Sequence, residues 1–133
     1  MRPILEDMES RPPWTYTAID HVQLAMPPGR EAEAEAFYGD VLGFAVVPKP
    51  ATLAVRGGRW FEQGCVRVHL GVEADFQPAR KAHPALVVTP FEPLLERLQA
   101  AGMELRWSDE GPGVRRGHVD DCFGNRLELV DPG

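Results

Sequence analysis

The chain has 133 residues and a formal net charge of −6; 44% of its residues are hydrophobic and 26% are charged. This composition is typical of a soluble globular protein with one ordinary domain, or with two small modules that share a core. It excludes insertion into a bilayer, since no apolar run approaches the length of a membrane span, and it argues against nucleic acid as a partner, which requires clustered Lys and Arg.

The first 17 residues are predicted to form a tail, because Pro12-Pro13 interrupts regular structure and the hydrophobic residues show no period. The start of the chain lacks the basic residues and apolar stretch of a signal peptide, so we expect a cytoplasmic protein. Cys65 and Cys122 are then expected to be reduced thiols, and neither has the spacing of a zinc-finger ligand.

The segment after the tail predicts one strand, one helix and further strands. Hydrophobic and polar residues alternate over 18–26, which is typical of a strand. Apolar residues at helical spacing predict a helix over 30–42, which we expect to end at Gly43. A turn is expected at Gly57-Gly58. The remaining predicted strands cover 44–47, 51–55, 59–61 and 65–72.

The second half of the sequence repeats this order. We predict a strand over 83–88, then a helix over 91–101, then strands over 103–107, 117–120 and 125–130. Each half is thus a strand, a helix and about three strands. A unit of this size buries too little surface to be stable alone. The two modules, at about 18–76 and 82–131, are therefore expected to pack together as one domain over 18–131.

Both halves carry metal-capable side chains at corresponding points. His69 follows His21 by 48 positions, and Glu128 follows His83 by 45. Near-equal separations of this kind usually mean that one supersecondary unit is used twice. Imidazoles and carboxylates are the ligand types that hold a divalent transition metal. The candidate metal ligands are therefore His21, His69, His83 and Glu128.

Strand periodicity places these side chains on one face of the sheet. His69 shares a face with Arg67, and Glu128 shares a face with Arg126, while aliphatic residues occupy the opposite face. A curved sheet with helices only on its outer side leaves a hollow on this face, where polar groups converge. Taken singly, a strand histidine is more often structural and a strand glutamate more often solvated. The symmetric placement favours a binding site.

His118 has no matching ligand in the first half. It lies ten residues before Glu128, and the residue ten before His69 is Arg59. His118 is interpreted either as an acid or base in a pocket or, more commonly for a strand histidine, as a surface residue. No Gly-rich phosphate loop, nucleophile elbow or Walker motif is present.

Three runs of sequence together resemble a known family. They are Ile19-Asp20-His21-Val22 in the first strand, the run from Phe37 to Phe44 at the end of the helix, and Asp121-Cys122-Phe123-Gly124-Asn125-Arg126-Leu127-Glu128-Leu129 at the close. On these runs the chain resembles the vicinal oxygen chelate superfamily, which includes glyoxalase I, extradiol dioxygenases, and fosfomycin- and bleomycin-resistance proteins. The resemblance covers about residues 18–131.

The resemblance implies an α+β fold in which two βαβββ modules form a cup-shaped mixed β-sheet with helices on the outer side. It implies a divalent metal in the cup, bound by His21, His83 and Glu128 as in the dioxygenases and fosfomycin enzymes. Adding His69 gives the four-position arrangement of glyoxalase I, where a carboxylate is more usual. An imidazole there favours zinc, nickel, iron, manganese or cobalt over magnesium. Two departures are Cys122 in place of a proline and His118 in place of an aromatic residue.

The function implied is that of a metal-dependent enzyme that binds a small substrate through two adjacent oxygens. Glyoxalase-like lyase or isomerase chemistry and dioxygenase chemistry share this platform, with Glu128 as the candidate base. The alternative is a metal-free protein that sequesters an antibiotic or other small molecule, as bleomycin-resistance relatives do. Relatives are commonly dimers, so a homodimer is expected.

Overall fold

The computed structural model describes residues 11–108 and 114–133. Residues 11–21 form neither helix nor strand, and the rest of the predicted tail, residues 1–10, lies outside the described residues. The strands are β1 (Val22–Met26), β2 (Ala45–Val47), β3 (Arg59–Gln63), β4 (Val66–Val72), β5 (Ala85–Val87), β6 (Arg106–Ser108), β7 (Arg115–Asp120) and β8 (Arg126–Asp131). The helices are α1 (Glu31–Ala34), which continues as a π-helical segment (Glu35–Val41), α2 (Ala51–Ala54) and α3 (Glu92–Ala100).

The strands form two four-stranded mixed sheets with the same topology. The first has the order β1-β4-β3-β2 and the second the order β5-β8-β7-β6. In each sheet the first strand of the module runs parallel to the last, and the other neighbours are antiparallel. The predicted α+β fold with repeated βαβββ modules is thereby confirmed. Within the described part of the chain, no helix is long and apolar enough to span a membrane.

The register of the strands shows which residues of the two modules correspond. His69 in β4 lies opposite Trp60 in β3, and Glu128 in β8 lies opposite His118 in β7. The counterpart of His118 is therefore Trp60, and the assignment of Arg59 from the sequence was wrong by one residue. The difference arises because two residues separate β3 from β4 while five separate β7 from β8, so counting along the chain does not preserve register.

The segment 51–55, predicted as a strand, is instead helical as α2. The helix begins after Pro50, whose carbonyl accepts hydrogen bonds from Leu53 N and Ala54 N at 2.9 Å. Proline cannot donate to a strand ladder, and both Pro48 and Pro50 precede this segment, so the chain forms a local turn of helix. The predicted turn at Gly57-Gly58 follows. Gly58 has φ +84°, and a Cβ there would lie 2.2 Å from Leu70 O, so only glycine fits.

The core lies between each sheet and its helices. Phe37 and Tyr38 from the π-helical segment are buried and pack with Phe61 and Leu70 of the first sheet. The same cluster continues into the second module, where its buried members are Phe91, Leu98, Val119, Phe123, Leu127 and Leu129. Since one hydrophobic cluster includes residues of both modules, the two share a core, as their small size requires.

The loop between β7 and β8 contributes polar contacts between the modules. The Tyr38 hydroxyl donates to Asp121 Oδ2 at 2.6 Å, and Asn125 Nδ2 donates to the carbonyl of Ala25 at 2.9 Å. Asp121 and Asn125 are 5% and 0% exposed, so these are hydrogen bonds inside the core. A satisfied buried network of this kind fixes the position of its loop. Glu128 lies in β8, the strand that follows this loop.

Candidate metal centre

Three neighbouring strands of the second sheet bring two histidines and a glutamate together. Glu128 is on the central strand β8, His118 is on β7, and His83 lies two residues before β5. The distance from Glu128 Oε1 to His83 Nε2 is 2.9 Å, and to His118 Nε2 it is 3.6 Å. One ligand atom from each residue lies within 4.8 Å of the other two. These three side chains, named here the second-module triad, could hold one metal ion.

A backbone carbonyl orients the imidazole of His83. Its Nδ1 lies 2.9 Å from Lys81 O, which can only accept a hydrogen bond, so Nδ1 carries the proton. Nε2 is then directed at Glu128 Oε1, and a cation, either a proton or a metal ion, must lie between these two acceptors. The Lys81 carbonyl and the Glu128 carboxylate raise the pKa of His83. Carbonyl-oriented imidazoles of this kind are typical of metal ligands.

Glu128 is held by an arginine on the side away from His83. Arg116 Nη1 donates to Glu128 Oε2 at 2.9 Å, so the carboxylate presents Oε1 to the two histidines. The hydrogen bond with His83 lowers the pKa of Glu128, and Arg116 lowers it further, against the opposing effect of burial. The side chain is 11% exposed. Glu128 is therefore an ionised and largely enclosed carboxylate, as a metal ligand must be.

The two predicted ligands of the first module form a separate group. The rings of His21 and His69 stack with centroids 4.1 Å apart, and Trp60 stacks on His69 at 4.3 Å. His21 Nδ1 is 2.9 Å from Asp20 Oδ2. His69 is 7% exposed, and burial lowers its pKa. Burial therefore favours the neutral imidazole, which is the form that binds metals. Among the described residues, neither histidine belongs to a group of three metal-capable side chains.

The structure thus distributes the four predicted ligands over two places. It brings His83 into contact with Glu128, and His21 into contact with His69. It also adds His118, whose position favours the pocket interpretation over the surface one. The signal that could have identified His118 is its cross-strand pairing with Glu128, which requires the length of the loop between β7 and β8.

The donor set of the second-module triad fits a divalent transition metal. Two imidazole nitrogens and one carboxylate oxygen form the ligand combination of many iron and zinc sites that leave coordination positions open. The orienting contacts from the Lys81 carbonyl and from Arg116 supply the outer shell that such sites need. The chemistry of the residues present therefore agrees with a bound cation.

Two other side chains that could react, Cys122 and Tyr38, are engaged in packing. Burial raises the pKa of Cys122 to about 12, and the neighbouring Asp121 adds to the effect, so the thiol stays protonated. Burial likewise raises the pKa of Tyr38 well above its usual range, in agreement with a packing role. Both cysteines are free, as predicted.

Solved structures with the same fold cover most of the chain. A glyoxalase family protein from Bacillus anthracis is 44% identical, with a TM-score of 0.84 over 88% of this chain and 96% of that one. The chain belongs to the vicinal oxygen chelate superfamily. The resemblance found in the three sequence runs is therefore confirmed. No protein-family model matches the chain, and a search of curated proteins likewise finds no match.

More distant proteins of the vicinal oxygen chelate superfamily share the fold. The fosfomycin resistance protein FosX from Listeria monocytogenes is 15% identical, with a TM-score of 0.68 over 88% of this chain and 94% of that one. Lactoylglutathione lyase from Agrobacterium tumefaciens is 18% identical, with a TM-score of 0.65 over 87% of this chain and 94% of that one. At these identities the likeness concerns the fold alone, because one fold supports many reactions.

Proposed function

We propose that the chain is a divalent-metal-dependent enzyme of this superfamily, which binds a small substrate through two adjacent oxygens. The observation that carries the proposal is the approach of His83 Nε2 to Glu128 Oε1 at 2.9 Å, with His118 beside them. This contact requires a cation, which is a proton when no metal is bound, and a divalent ion would take the place of that proton among the same donor atoms. The ions proposed are zinc, nickel, iron, manganese and cobalt, because imidazole ligands favour these over magnesium.

The ligands proposed from the sequence are His21, His69, His83 and Glu128, or three of them, and the structure adds His118 as a further candidate beside Glu128. Within one chain, His21 and His69 form a group separate from His83 and Glu128. A single centre that includes His21 therefore requires that a first sheet and a second sheet come together in another way. A second copy of the chain, with its first module against this second module, would supply that approach. We therefore propose a homodimer in which the centre is completed across the interface.

The residues of this chain have distinct roles in the proposed reaction. A bound ion supplies Lewis acidity toward the two substrate oxygens. Arg116 holds Glu128 Oε2, so Oε1 is the atom that would bind the ion and that would accept a proton from the substrate when it leaves the ion transiently. The Lys81 carbonyl fixes the ring of His83. This arrangement of residues suits lyase or isomerase chemistry and dioxygenase chemistry. We propose a cytoplasmic location for the enzyme.

A metal-free binding protein is the second candidate function, and one cavity favours it. A cavity of about 440 Å³ lies on the helix side of the sheets, and its walls are mainly apolar. Leu86 and Leu129 line it from strand positions that alternate with Ala85 and Glu128, so it opens on the face opposite the triad. An apolar small molecule held there would need no metal.

Elemental analysis of protein purified without a metal-affinity tag separates the two candidates. The enzyme proposal predicts a stoichiometric transition metal, or uptake of added zinc, nickel, manganese or ferrous iron with a rise in Tm. An ion at 100 times its Kd stabilises the folded state by about 2.7 kcal/mol. Protein that contains no metal and shows no change in Tm with any of these ions would eliminate the enzyme proposal.

Metal affinity is expected to fall as the pH decreases. A bound His83 must be unprotonated at Nε2, and its pKa is raised above the ordinary value of 6.5, so protons compete with the metal at a higher pH than for a free imidazole. Zinc affinity measured by calorimetry between roughly pH 6 and pH 8 should therefore increase steadily. The His83→Ala variant is the control. An affinity of the wild-type protein that is independent of pH would show that His83 is not a ligand.

A further inference from the structure

Arg126 has a buried nitrogen without a hydrogen-bond partner. Its Nε is the one buried side-chain nitrogen or oxygen of the described residues in this condition, and the side chain has no ion pair. An unsatisfied buried donor is costly, and a guanidinium has five N–H groups to satisfy. Folded proteins rarely leave such a group unpaired, and its partner can be an ordered water, an ion or another bound molecule.

The corresponding arginine of the first module, Arg67, is paired with two carboxylates. Arg67 precedes His69 by two residues, as Arg126 precedes Glu128, and each lies on the face of its ligand. Arg67 forms ion pairs with Asp20 at 3.1 Å and with Glu62 at 3.7 Å. The repeat therefore offers an internal reference for what an arginine at this position needs.

Arg126 has neither of the two acidic partners that Arg67 has. The position that corresponds to Asp20 is Ala82, immediately before His83. The cross-strand position that corresponds to Glu62 is Asp120, whose Oδ1 instead binds Arg106 at 2.8 Å. The second module has thus kept the arginine of the repeat, while one of its two carboxylates is replaced by alanine and the other is engaged with Arg106.

The unpaired guanidinium lies beside the second-module triad. Arg126 and Glu128 are two residues apart on one face of β8, which separates their Cα atoms by roughly 7 Å. The positive charge of Arg126 is close enough to His83 to oppose protonation of its ring. Arg116, the other arginine near the triad, is already paired with Glu128. Among the described residues, this face therefore offers one guanidinium without a carboxylate partner near the proposed ion.

We propose that Arg126 binds a carboxylate of the substrate, additional to the two oxygens that face the metal. The inference rests on the proposed function. It narrows the proposed substrate class to small acids that carry a carboxylate in addition to the two oxygens that face the metal. One free guanidinium matches one singly charged, planar anion in geometry and charge. Pairing with it satisfies the buried donor that the chain itself leaves open.

Three hydroxy acids test this directly by calorimetry on the metal-loaded protein at about 0.15 M salt, where nonspecific attraction is screened. Lactate and malate offer the same adjacent hydroxyl and carboxylate, and malate adds a second carboxylate; 2-hydroxyglutarate extends it by one methylene. We expect the wild-type protein to bind malate or 2-hydroxyglutarate at least about tenfold more tightly than lactate, as a charge-assisted hydrogen bond implies.

The variants Arg126→Gln and Arg67→Gln form a matched pair. Arg126→Gln should reduce the preference over lactate to about unity and leave binding of zinc alone in place, while Arg67→Gln should keep the preference. A wild-type protein without the preference, or an Arg126→Gln protein that retains it, would overturn the inference and leave the metal proposal standing. A wild-type protein that binds no metal would overturn both, and the titration with zinc alone shows which case applies.

Discussion

Glu128→Gln is expected to abolish stoichiometric metal binding while the protein stays folded. The substitution keeps the shape of the side chain and removes the charge that faces His83 Nε2 at 2.9 Å and His118 Nε2 at 3.6 Å. Changes in outer-shell partners alone cost roughly 10- to 100-fold in metal affinity. We therefore expect the loss of a direct carboxylate ligand to exceed about 100-fold. Titration with zinc, followed by calorimetry, measures the effect.

Asp120→Asn is the matched control for Glu128→Gln. Asp120 also carries a carboxylate and lies on the neighbouring strand β7. It pairs with Arg106 at 2.8 Å and does not belong to the second-module triad. Its neutralisation should leave zinc affinity close to that of the wild-type protein, and circular dichroism should show both variants folded. Wild-type affinity in Glu128→Gln would contradict the assignment of Glu128 as a ligand.

His21→Ala extends the same titration to the first module. If the centre includes His21 from a second chain, this variant loses metal retention as Glu128→Gln does, and its fold is unaffected because His21 is partly exposed. If His21→Ala binds zinc as tightly as the wild-type protein, the second-module triad holds the ion without the first module. The proposed completion across a dimer interface would then be wrong.

Asp121→Ala is expected to destabilise the protein by about 3–5 kcal/mol, with a fall in Tm on the order of 10 °C. Asp121 is 5% exposed and accepts four hydrogen bonds. Its donors are Phe123 N at 2.8 Å, Asn125 N and Nδ2 at 2.9 Å, and the Tyr38 hydroxyl at 2.6 Å. Removal of the carboxylate takes a partner from each of these donors, and of the four only Asn125 Nδ2 keeps another, the carbonyl of Ala25; unpaired donors in the core cost more than the bonds contribute. Urea denaturation measures the change in the free energy of unfolding.

Two variants define the scale of this effect. Tyr38→Phe removes one donor and leaves Asp121 with three, so its cost should be about 1–2 kcal/mol. Asp120→Ala removes an exposed ion pair next to the network, and the expected cost is below about 1 kcal/mol. A loss in Asp121→Ala no larger than that in Asp120→Ala would show that the loop between β7 and β8 does not fix the packing of the modules.

Much of the fold was predictable because its signals are local. The alternation of apolar and polar residues identified most strands, and helical spacing identified the segments that became α1 and α3. The prediction over 51–55 was wrong because it interpreted a short run of apolar residues after Pro48 and Pro50 as a strand. Pro50 removes a ladder donor there, and a turn of helix satisfies the backbone within the segment itself.

The candidate site was predictable in part. The repeat identified Glu128 and His83, and the structure brings them into contact at 2.9 Å. His118 was given two interpretations, because its relation to Glu128 depends on a pairing across a five-residue loop. The stacking of His21 on His69 also depends on how neighbouring strands align. Spacing along the chain contains no information on that alignment.

The sequence by itself determined the repeat, the face of each strand and the identity of the metal-capable residues, because strand periodicity and side-chain chemistry are properties of the local chain. Only the tertiary structure decided which of those residues meet. His118 joins His83 and Glu128 through cross-strand register. Arg126 Nε has no partner among the described residues, and the residue that lies opposite Arg126, Asp120, binds Arg106 instead. Contacts of this kind depend on loop length and on competition between neighbours, which act across strands that are distant in the chain.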